Sequence, residues 1–194
     1  MNVDSVHDLQ AAFRELMAAF AFPGRIRSIS DLSSKLGTDS PIPAAMLALV
    51  LVLLDAETIF TVVAEDRSAT ESFISRLTYA KPGPIEEADF VLVPQGGAEI
   101  ATAIAEAREG TLIDPQLGAT VIAFVERLDE GDAISLAGPG IEGRMLLRAG
   151  TSAVWVGARA SKNREFPLGV DLALVDRAGC LAALPRSTRA AMED

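Results

Sequence analysis

Between residues 57 and 128, short runs rich in β-branched residues alternate with amphipathic stretches, and this order strongly limits the folds open to the chain. Strand-like runs lie at 57–64 (ETIFTVVA), 88–93 (ADFVLV) and 120–128 (TVIAFVERL). Apolar residues at helical spacing mark 67–79 and 98–109 between them. Each helix therefore connects two strands of one sheet, a pattern typical of α/β proteins with parallel strands.

The last third of the sequence predicts additional extended segments. VDLALVD (170–176) and CLAALPRS (180–187) flank a short loop that ends in glycine, which indicates a β-hairpin. AISLAG (133–138) and GRMLLRA (143–149) are compatible with strands, whereas the period of 151–163 fits either a helix or a strand. We therefore expect an α/β fold: a three-layer α/β/α sandwich with a mixed, largely parallel sheet and a C-terminal β-hairpin.

The amino-terminal part of the chain predicts two helices. Residues 6–20 place five apolar side chains along one helical face: Leu9, Phe13, Leu16, Met17 and Phe20. Asp4 or Ser5 can cap its start, FPG at 22–24 ends it, and we expect Phe20 and Phe22 to pack against the body of the protein. Residues 42–54 form an apolar run of thirteen residues, short of the roughly twenty that cross a bilayer, so they predict a buried helix.

Length and charge narrow the class of protein. A chain of 194 residues is long enough for one sizeable core, and we expect a single domain over 1–194. A formal net charge of −10 argues against general affinity for nucleic acid or for an anionic membrane surface. One cysteine, Cys180, cannot form an internal disulfide, and no segment has the layout of a secretory signal. We therefore expect a cytoplasmic protein without nucleic-acid or membrane partners.

The stretch GPGIEG (138–143) has the glycine spacing of a dinucleotide-binding loop, G-x-G-x-x-G. Such a loop needs a helix behind it, but the following residues reach Gly150 after about two helical turns at most. Pro139 also lacks an N–H group that a phosphate would use. We therefore interpret this stretch as a turn after a strand.

The sequence contains few residues of the kinds that carry covalent catalysis. His7 is the one histidine, so His7 and Cys180 together cannot provide a usual zinc site. The three lysines, Lys35, Lys81 and Lys162, lie in loop-like surroundings that do not suit a Schiff base. We therefore expect no cofactor, no metal ion and no catalytic set in this chain.

Two features are open to more than one interpretation. PQGGAE (94–99) stands between a strand and a helix, so its N–H groups could bind an anion, but it lacks the lysine and hydroxyl of a P-loop and better fits a turn. Asp171 lies inside an apolar run, where a carboxylate needs a partner. Arg186, which leaves the neighbouring strand, is the natural candidate. The pair either closes the hairpin or serves a subunit interface.

Several stretches together resemble the PhnH family of the bacterial carbon–phosphorus lyase system. In chain order they are FRELMAAFAFPG (13–24), LLDAET (53–58), ADFVLV, GTLIDPQLGAT (110–120), GPGI, FPLGVDL (166–172) and LPRST (184–188). FPLGVDL followed by LPRST is the most specific pair. RLTYAKP (76–82) departs from the family, which often has an aromatic residue, a histidine and a threonine there.

The resemblance implies a homodimer that joins the PhnG, PhnI and PhnJ subunits in organic phosphonate catabolism. That complex transfers an alkylphosphonate to the ribose C1 of ATP and displaces adenine. The resemblance also implies a fold similar to that of the pyridoxal-phosphate-dependent transferases, without the cofactor. The iron–sulfur chemistry of the family belongs to another subunit.

We therefore predict an accessory subunit rather than an independent catalyst. The candidates for interface or site-shaping roles are Asp55, Glu57, Arg76, Asp171 and Arg186, which match the resembling stretches and are poorly explained as core. The alternative is a stand-alone nucleotide- or phosphonate-binding enzyme, with its ligand at Gly96 and Gly97. A third hypothesis is a vestigial transferase that binds pyridoxal phosphate without a covalent bond.

Overall fold

A computed structural model describes residue 4, residues 6–37 and residues 39–193 and contains a mixed sheet of seven strands. The strands are β1 (Arg27–Ser28), β2 (Ile59–Val62), β3 (Lys81–Pro82), β4 (Phe90–Val93), β5 (Thr120–Phe124), β8 (Asp171–Val175) and β9 (Cys180–Leu184). They lie in the order β1-β9-β8-β5-β4-β2-β3. The five strands from β8 to β3 are parallel, whereas β9 pairs antiparallel with β8 and with β1. The largely parallel sheet and the hairpin are confirmed.

Both faces of this sheet are covered, because its central strands are apolar on both sides. The helices are α1 (His7–Ala21), α2 (Ser30–Ser33), α3 (Ala44–Leu53), α4 (Arg67–Thr78), α5 (Glu99–Glu106) and α6 (Val154–Lys162). Leu92 and Ile122 face a core formed with α1 to α4. Their neighbours Val91 and Val121 face a second core formed with α5 and α6. This alternation is the period of two that a strand imposes.

A second sheet, absent from our sequence-based expectations, lies on the α5–α6 side. It consists of β6 (Asp132–Ala137), β7 (Met145–Ala149) and β10 (Arg189–Met192), all antiparallel, in the order β10-β6-β7. GPGIEG is the turn between β6 and β7, as predicted, and no helix follows it. A side chain at Gly140 would overlap the Ala21 carbonyl oxygen, so this glycine permits close packing against the end of α1.

The most apolar segment forms α3, and its residues from Ala45 to Val50 are all buried. It packs in the core with α1 and α4, which confirms the predicted buried helix. Among the described residues, none of the helices combines the length and the apolar character that a bilayer crossing requires.

Helix α1 buries a narrower face than predicted. Leu16 is fully buried and Phe20 is partly buried against the core, but Phe13 and Met17 remain 45% and 42% exposed. The expected packing of Phe22 is wrong in part: its ring is 43% exposed, and the guanidinium groups of Arg25 and Arg27 lie 5.2 and 6.0 Å from its centre. The fully inward face of the helix consists of Ala12, Leu16 and Ala19.

Asp4 caps the start of α1. Its Oδ1 accepts hydrogen bonds from the N–H groups of Val6 and His7 at 2.9 and 3.0 Å, whereas Ser5 lies outside the described residues. Asp8 accepts a bond from Lys35 at 2.7 Å, which ties α1 to the segment after α2. These hydrogen bonds lower the pKa of both carboxyl groups, chiefly through His7 for Asp4 and Lys35 for Asp8.

We expect the amino end of α1 to loosen in acid. A lowered pKa means that these carboxylates stabilise the folded state above the ordinary aspartate value of 3.8 and lose that effect as the pH falls below it. Asp8→Asn should therefore flatten the acid dependence of the unfolding midpoint, measured by circular dichroism from pH 7 downward. The control is Asp39→Asn, because no cation lies within 4.0 Å of Asp39 among the described residues. Equal acid dependence in both variants would contradict this role.

Candidate functional site

All five predicted candidates lie along one edge of the seven-stranded sheet, where the parallel strands begin. Asp55 and Glu57 precede β2, and Asp171 is the first residue of β8. Arg186 follows β9, which runs antiparallel to β8 and so ends at the same edge. Arg76 lies in the last turn of α4, just before β3. We call this the amino edge of the sheet.

The structure brings together the side chains of two of the five, Asp171 and Arg186. Arg186 Nη2 lies 2.7 Å from Asp171 Oδ2, and Nε lies 3.3 Å from Oδ1. The backbone N–H of Arg186 also donates to Oδ1, at 2.6 Å. The side chains of Arg186 and Asp171 are only 15% and 22% exposed, so this bidentate ion pair is largely shielded from water. The predicted ion pair is confirmed, and a role at a subunit interface stays a prediction.

Arg186 also holds the loop before β5. Nη1 donates to the Pro115 carbonyl at 2.6 Å, and Nη2 donates to the Gly118 carbonyl at 3.3 Å. A side chain at Gly118 would overlap Arg186 and the Gly169 carbonyl oxygen, so only glycine allows this approach. The stretches GTLIDPQLGAT, FPLGVDL and LPRST therefore meet around one guanidinium group.

Two residues that the sequence did not single out complete this arrangement. Asn163, which caps α6, accepts from the Val170 N–H at 2.8 Å and donates to its carbonyl at 3.0 Å. Arg159, one turn earlier, is 1% exposed and donates to the carbonyls of Thr188 at 2.6 Å, Leu184 at 3.1 Å and Pro185. Together they fix the backbone of FPLGVDL and of LPRST.

Arg159 is a buried cation, and no carboxylate of the described residues is in contact with it. Burial lowers its pKa to about 10, and the nearby charge of Asp171 partly opposes this shift. The guanidinium stays charged near neutral pH and is compensated by carbonyl dipoles. The burial of Arg159 could have been inferred from its position four residues after Trp155, which places both side chains on one helix face. The sequence did not decide between a helix and a strand for this segment, so this inference was not available.

The loops that Arg186 holds expose large apolar side chains. Leu112 and Ile113 are 75% and 89% exposed, and Leu117 at the end of the same loop is 42% exposed. Phe166 is 69% exposed on the segment that lies beside this loop, where the Gly169 N–H donates to the Glu109 carbonyl at 2.9 Å. Clustered apolar exposure of this kind marks an interaction surface more often than a solvated loop.

The remaining candidates have simpler surroundings. Asp55 Oδ1 accepts a bond from the Glu57 N–H at 2.9 Å, so Asp55 shapes the turn into β2. Glu57 and Arg76 are exposed, and neither has an ion-pair partner within 4.0 Å in the described part of the chain. Near Arg76, where the family often has a histidine, Tyr79 takes a left-handed backbone with φ of 63° and is 77% exposed.

The glycines of PQGGAE lie at the opposite, carboxyl edge. Gly96 and Gly97 have φ of 66° and 71°, and a side chain at Gly96 would overlap the Phe124 carbonyl oxygen. A hollow of about 240 Å³ beside them is lined by no lysine or arginine, and Glu126 contributes a carboxylate. The geometry therefore gives Gly96 a packing role and offers a phosphate no cation.

A groove of about 500 Å³ lies beside the β8–β9 turn, and its charged side chains form ion pairs with one another or with close neighbours. Arg127 binds both Asp129 and Glu130, while Arg177 lies 3.6 Å from Glu126. Burial, together with Asp176, raises the pKa of the Cys180 thiol, which disfavours the nucleophilic thiolate. Within the described ranges, no group of three or more His, Cys, Asp or Glu side chains is placed to hold a metal ion.

Comparison with known proteins gives consistent matches over almost the whole chain. The family model described as bacterial phosphonate metabolism protein (PhnH) matches residues 2–191. A protein of Stutzerimonas stutzeri named as a C-P lyase subunit, HtxG, is 37% identical over 180 residues, which cover 92% of this chain and 84% of that protein. The alpha-D-ribose 1-methylphosphonate 5-triphosphate synthase subunit PhnH of Rhizobium meliloti (strain 1021) is 31% identical over 189 residues, covering 96% and 92%.

A double-mutant cycle should measure strong coupling between Asp171 and Arg186. We expect Asp171→Asn and Arg186→Gln to show a coupling of about 1–3 kcal/mol in urea unfolding, because each single change leaves a shielded charge without its partner. The control cycle is Glu126→Gln with Arg177→Gln, a pair 70% and 80% exposed, which should couple by less than about 0.5 kcal/mol. A coupling between Asp171 and Arg186 as small as that of the control pair would show that the two residues act independently.

Removal of the buried cation should be costly. Arg159→Met keeps most of the length of the side chain but removes its hydrogen bonds to three backbone carbonyls, so we expect a loss of about 2–4 kcal/mol of unfolding free energy. Arg164→Met, at a side chain 80% exposed on the segment after α6, should change stability by at most about 0.5 kcal/mol. Equal stability of the two variants would refute the role of Arg159.

Proposed function

The chain belongs to the PhnH family of bacterial phosphonate metabolism proteins, and on this basis we propose that it is an accessory subunit of a carbon–phosphorus lyase complex. Both relatives carry the word subunit in their names, one for a C-P lyase and one for a ribose 1-methylphosphonate 5-triphosphate synthase. Their similarity extends over more than nine-tenths of this chain. The proposed role is organic phosphonate catabolism, at the step that moves an alkylphosphonate to the ribose C1 of ATP and displaces adenine.

The observation that carries the proposal is the apolar surface at the amino edge. Leu112, Ile113 and Phe166 project from loops whose backbones are bound by Arg186 and Asn163. A rigid backbone lowers the conformational entropy lost on binding, so exposed apolar groups on it suit a stable protein contact. In the groove beside the β8–β9 turn, the Cys180 thiol lies next to the Asp176 carboxylate, and its raised pKa disfavours the nucleophilic thiolate.

The partners are those that the resemblance to the family implies. We propose that PhnG, PhnI and PhnJ of the same source are the other subunits and that the chain also forms a homodimer in the cytoplasm. The ion pair of Asp171 and Arg186 acts there by holding the interface loops, while Asp55, Glu57 and Arg76 border the same edge. Catalysis and any cofactor then belong to the partner subunits.

The fold itself supports one further part of the proposal. We infer a single cooperative domain over 1–194, because the two cores share the central strands of one sheet. We also propose a likeness to the pyridoxal-phosphate-dependent transferases without their cofactor. Lys162 supports this absence of Schiff-base chemistry, since its ammonium group donates to the Ala105 carbonyl at 3.0 Å and lies 3.7 Å from Glu109.

Co-expression of the chain with PhnG, PhnI and PhnJ tests the proposal. Size exclusion with light scattering should detect one stoichiometric assembly. Ile113→Glu should weaken incorporation about tenfold or more, because it places a charge on the apolar surface. Its side chain is 89% exposed, so the isolated variant should unfold at the same temperature as the natural chain.

Val154→Glu is the matched control, since Val154 is 65% exposed at the start of α6, on a different surface. It should assemble normally. Failure of the natural chain to enter any assembly would refute the subunit role. Normal incorporation of both variants would leave the subunit role standing and exclude the amino edge as the contact.

A further inference from the structure

No helix or strand of the described residues covers the outward face of the three-stranded sheet. Ile134, Leu136 and Leu147 point inward and are buried, so the alternate residues of β6 and β7 point outward. The outward residues of the middle strand are small: Ala133, Ser135 and Ala137. They form a flat floor on which nothing in the described chain packs.

Arginines border this floor. Arg189 is paired with Ala137 from β10, and the register of β6 and β7 places Arg144 beside Ala137 on the other side. Arg148 lies further along β7, opposite Ala133. Arg144 and Arg189 line one hollow of about 300 Å³ together with Ser135 and Ala191.

These three arginines are exposed and have no counter-charge among the described residues. In the described part of the chain, no carboxylate lies within 4.0 Å of Arg144, Arg148 or Arg189, although Glu193 lines the same hollow. In a chain with net charge −10, most other cations are paired with acids. A local group of unpaired cations is therefore complementary to negative charge supplied from outside.

The surface also carries an apolar side chain next to the charges. Leu146, in the same cross-strand row as Ser135, is 53% exposed. Arginine beside apolar side chains is typical of protein interfaces. A small phosphate compound would find few backbone donors here, since β6 is hydrogen-bonded on both sides.

We propose that this face is a docking surface for an acidic segment of a partner protein, one that presents Asp or Glu side chains beside apolar ones. The carboxylates pair with Arg144 and Arg189 on either side of the floor, and the apolar side chains lie on Ala137, Ser135 and Leu146. The surface is separate from the amino edge, so this inference goes beyond the proposed subunit role and does not require it.

Calorimetric titration of the isolated full-length chain tests the inference. The probe is a synthetic helical peptide with glutamates on one face and leucines beside them, and its control has lysine at each glutamate. We expect the glutamate peptide alone to bind, with affinity that falls as salt is raised. Arg144→Ala with Arg189→Ala should weaken binding about tenfold, as the loss of two exposed charge pairs implies.

The control variant removes two other exposed arginines, Arg164→Ala with Arg177→Ala, and should bind the peptide like the natural chain. Equal weakening in both double variants, or no binding of the glutamate peptide, would overturn the inference. A parallel titration with inorganic tripolyphosphate tests whether the arginines bind a phosphate compound instead of an acidic peptide. Tripolyphosphate binding that depends on Arg144 and Arg189, without peptide binding, would assign the face to a phosphate ligand and overturn the proposal.

Discussion

The pairing of Asp171 with Arg186 is the interaction on which the amino edge depends. A carboxylate at the start of β8 would be costly beside apolar strands, and the two-pronged guanidinium removes that cost. The same guanidinium then reaches the carbonyls of Pro115 and Gly118, so one side chain organises three segments that are distant in the sequence. Without this pair, the carbonyls of Pro115 and Gly118 would lose the guanidinium that joins the loop before β5 to the end of β9.

A second arginine, Arg159, also fixes backbone segments and is more deeply buried. No acid of the described residues contacts it, and its guanidinium group donates to carbonyls at the end of β9 and the start of β10. Because β9 belongs to the large sheet and β10 to the small one, these bonds fix the turn by which the chain passes between the sheets. Asp171 lies close enough to influence the pKa of Arg159, so the two arginines and one aspartate form a connected electrostatic group.

The positions of the charged and the exposed apolar side chains fit a protein that acts by binding other proteins. At the carboxyl edge, where open parallel sheets usually bind ligands, the described hollows carry paired charges or no cation at all. Apolar side chains are instead exposed at the amino edge, and unpaired arginines lie on the small sheet. Membership of the PhnH family agrees with this distribution, because the names of both relatives describe subunits.

The sequence by itself determined the alternation of strands and helices over 57–128, the parallel sheet, the hairpin and the partner of Asp171, since period, turn residues and the cost of a buried acid are local or nearly local signals. The family also followed from sequence, through FPLGVDL and LPRST. Only the tertiary structure decided that β10 joins β6 and β7 in a separate sheet, that Arg159 is buried and that Arg144 and Arg189 flank one floor. These features depend on which distant strands pair and in which register, and neither periodicity nor spacing in a single sequence carries that information.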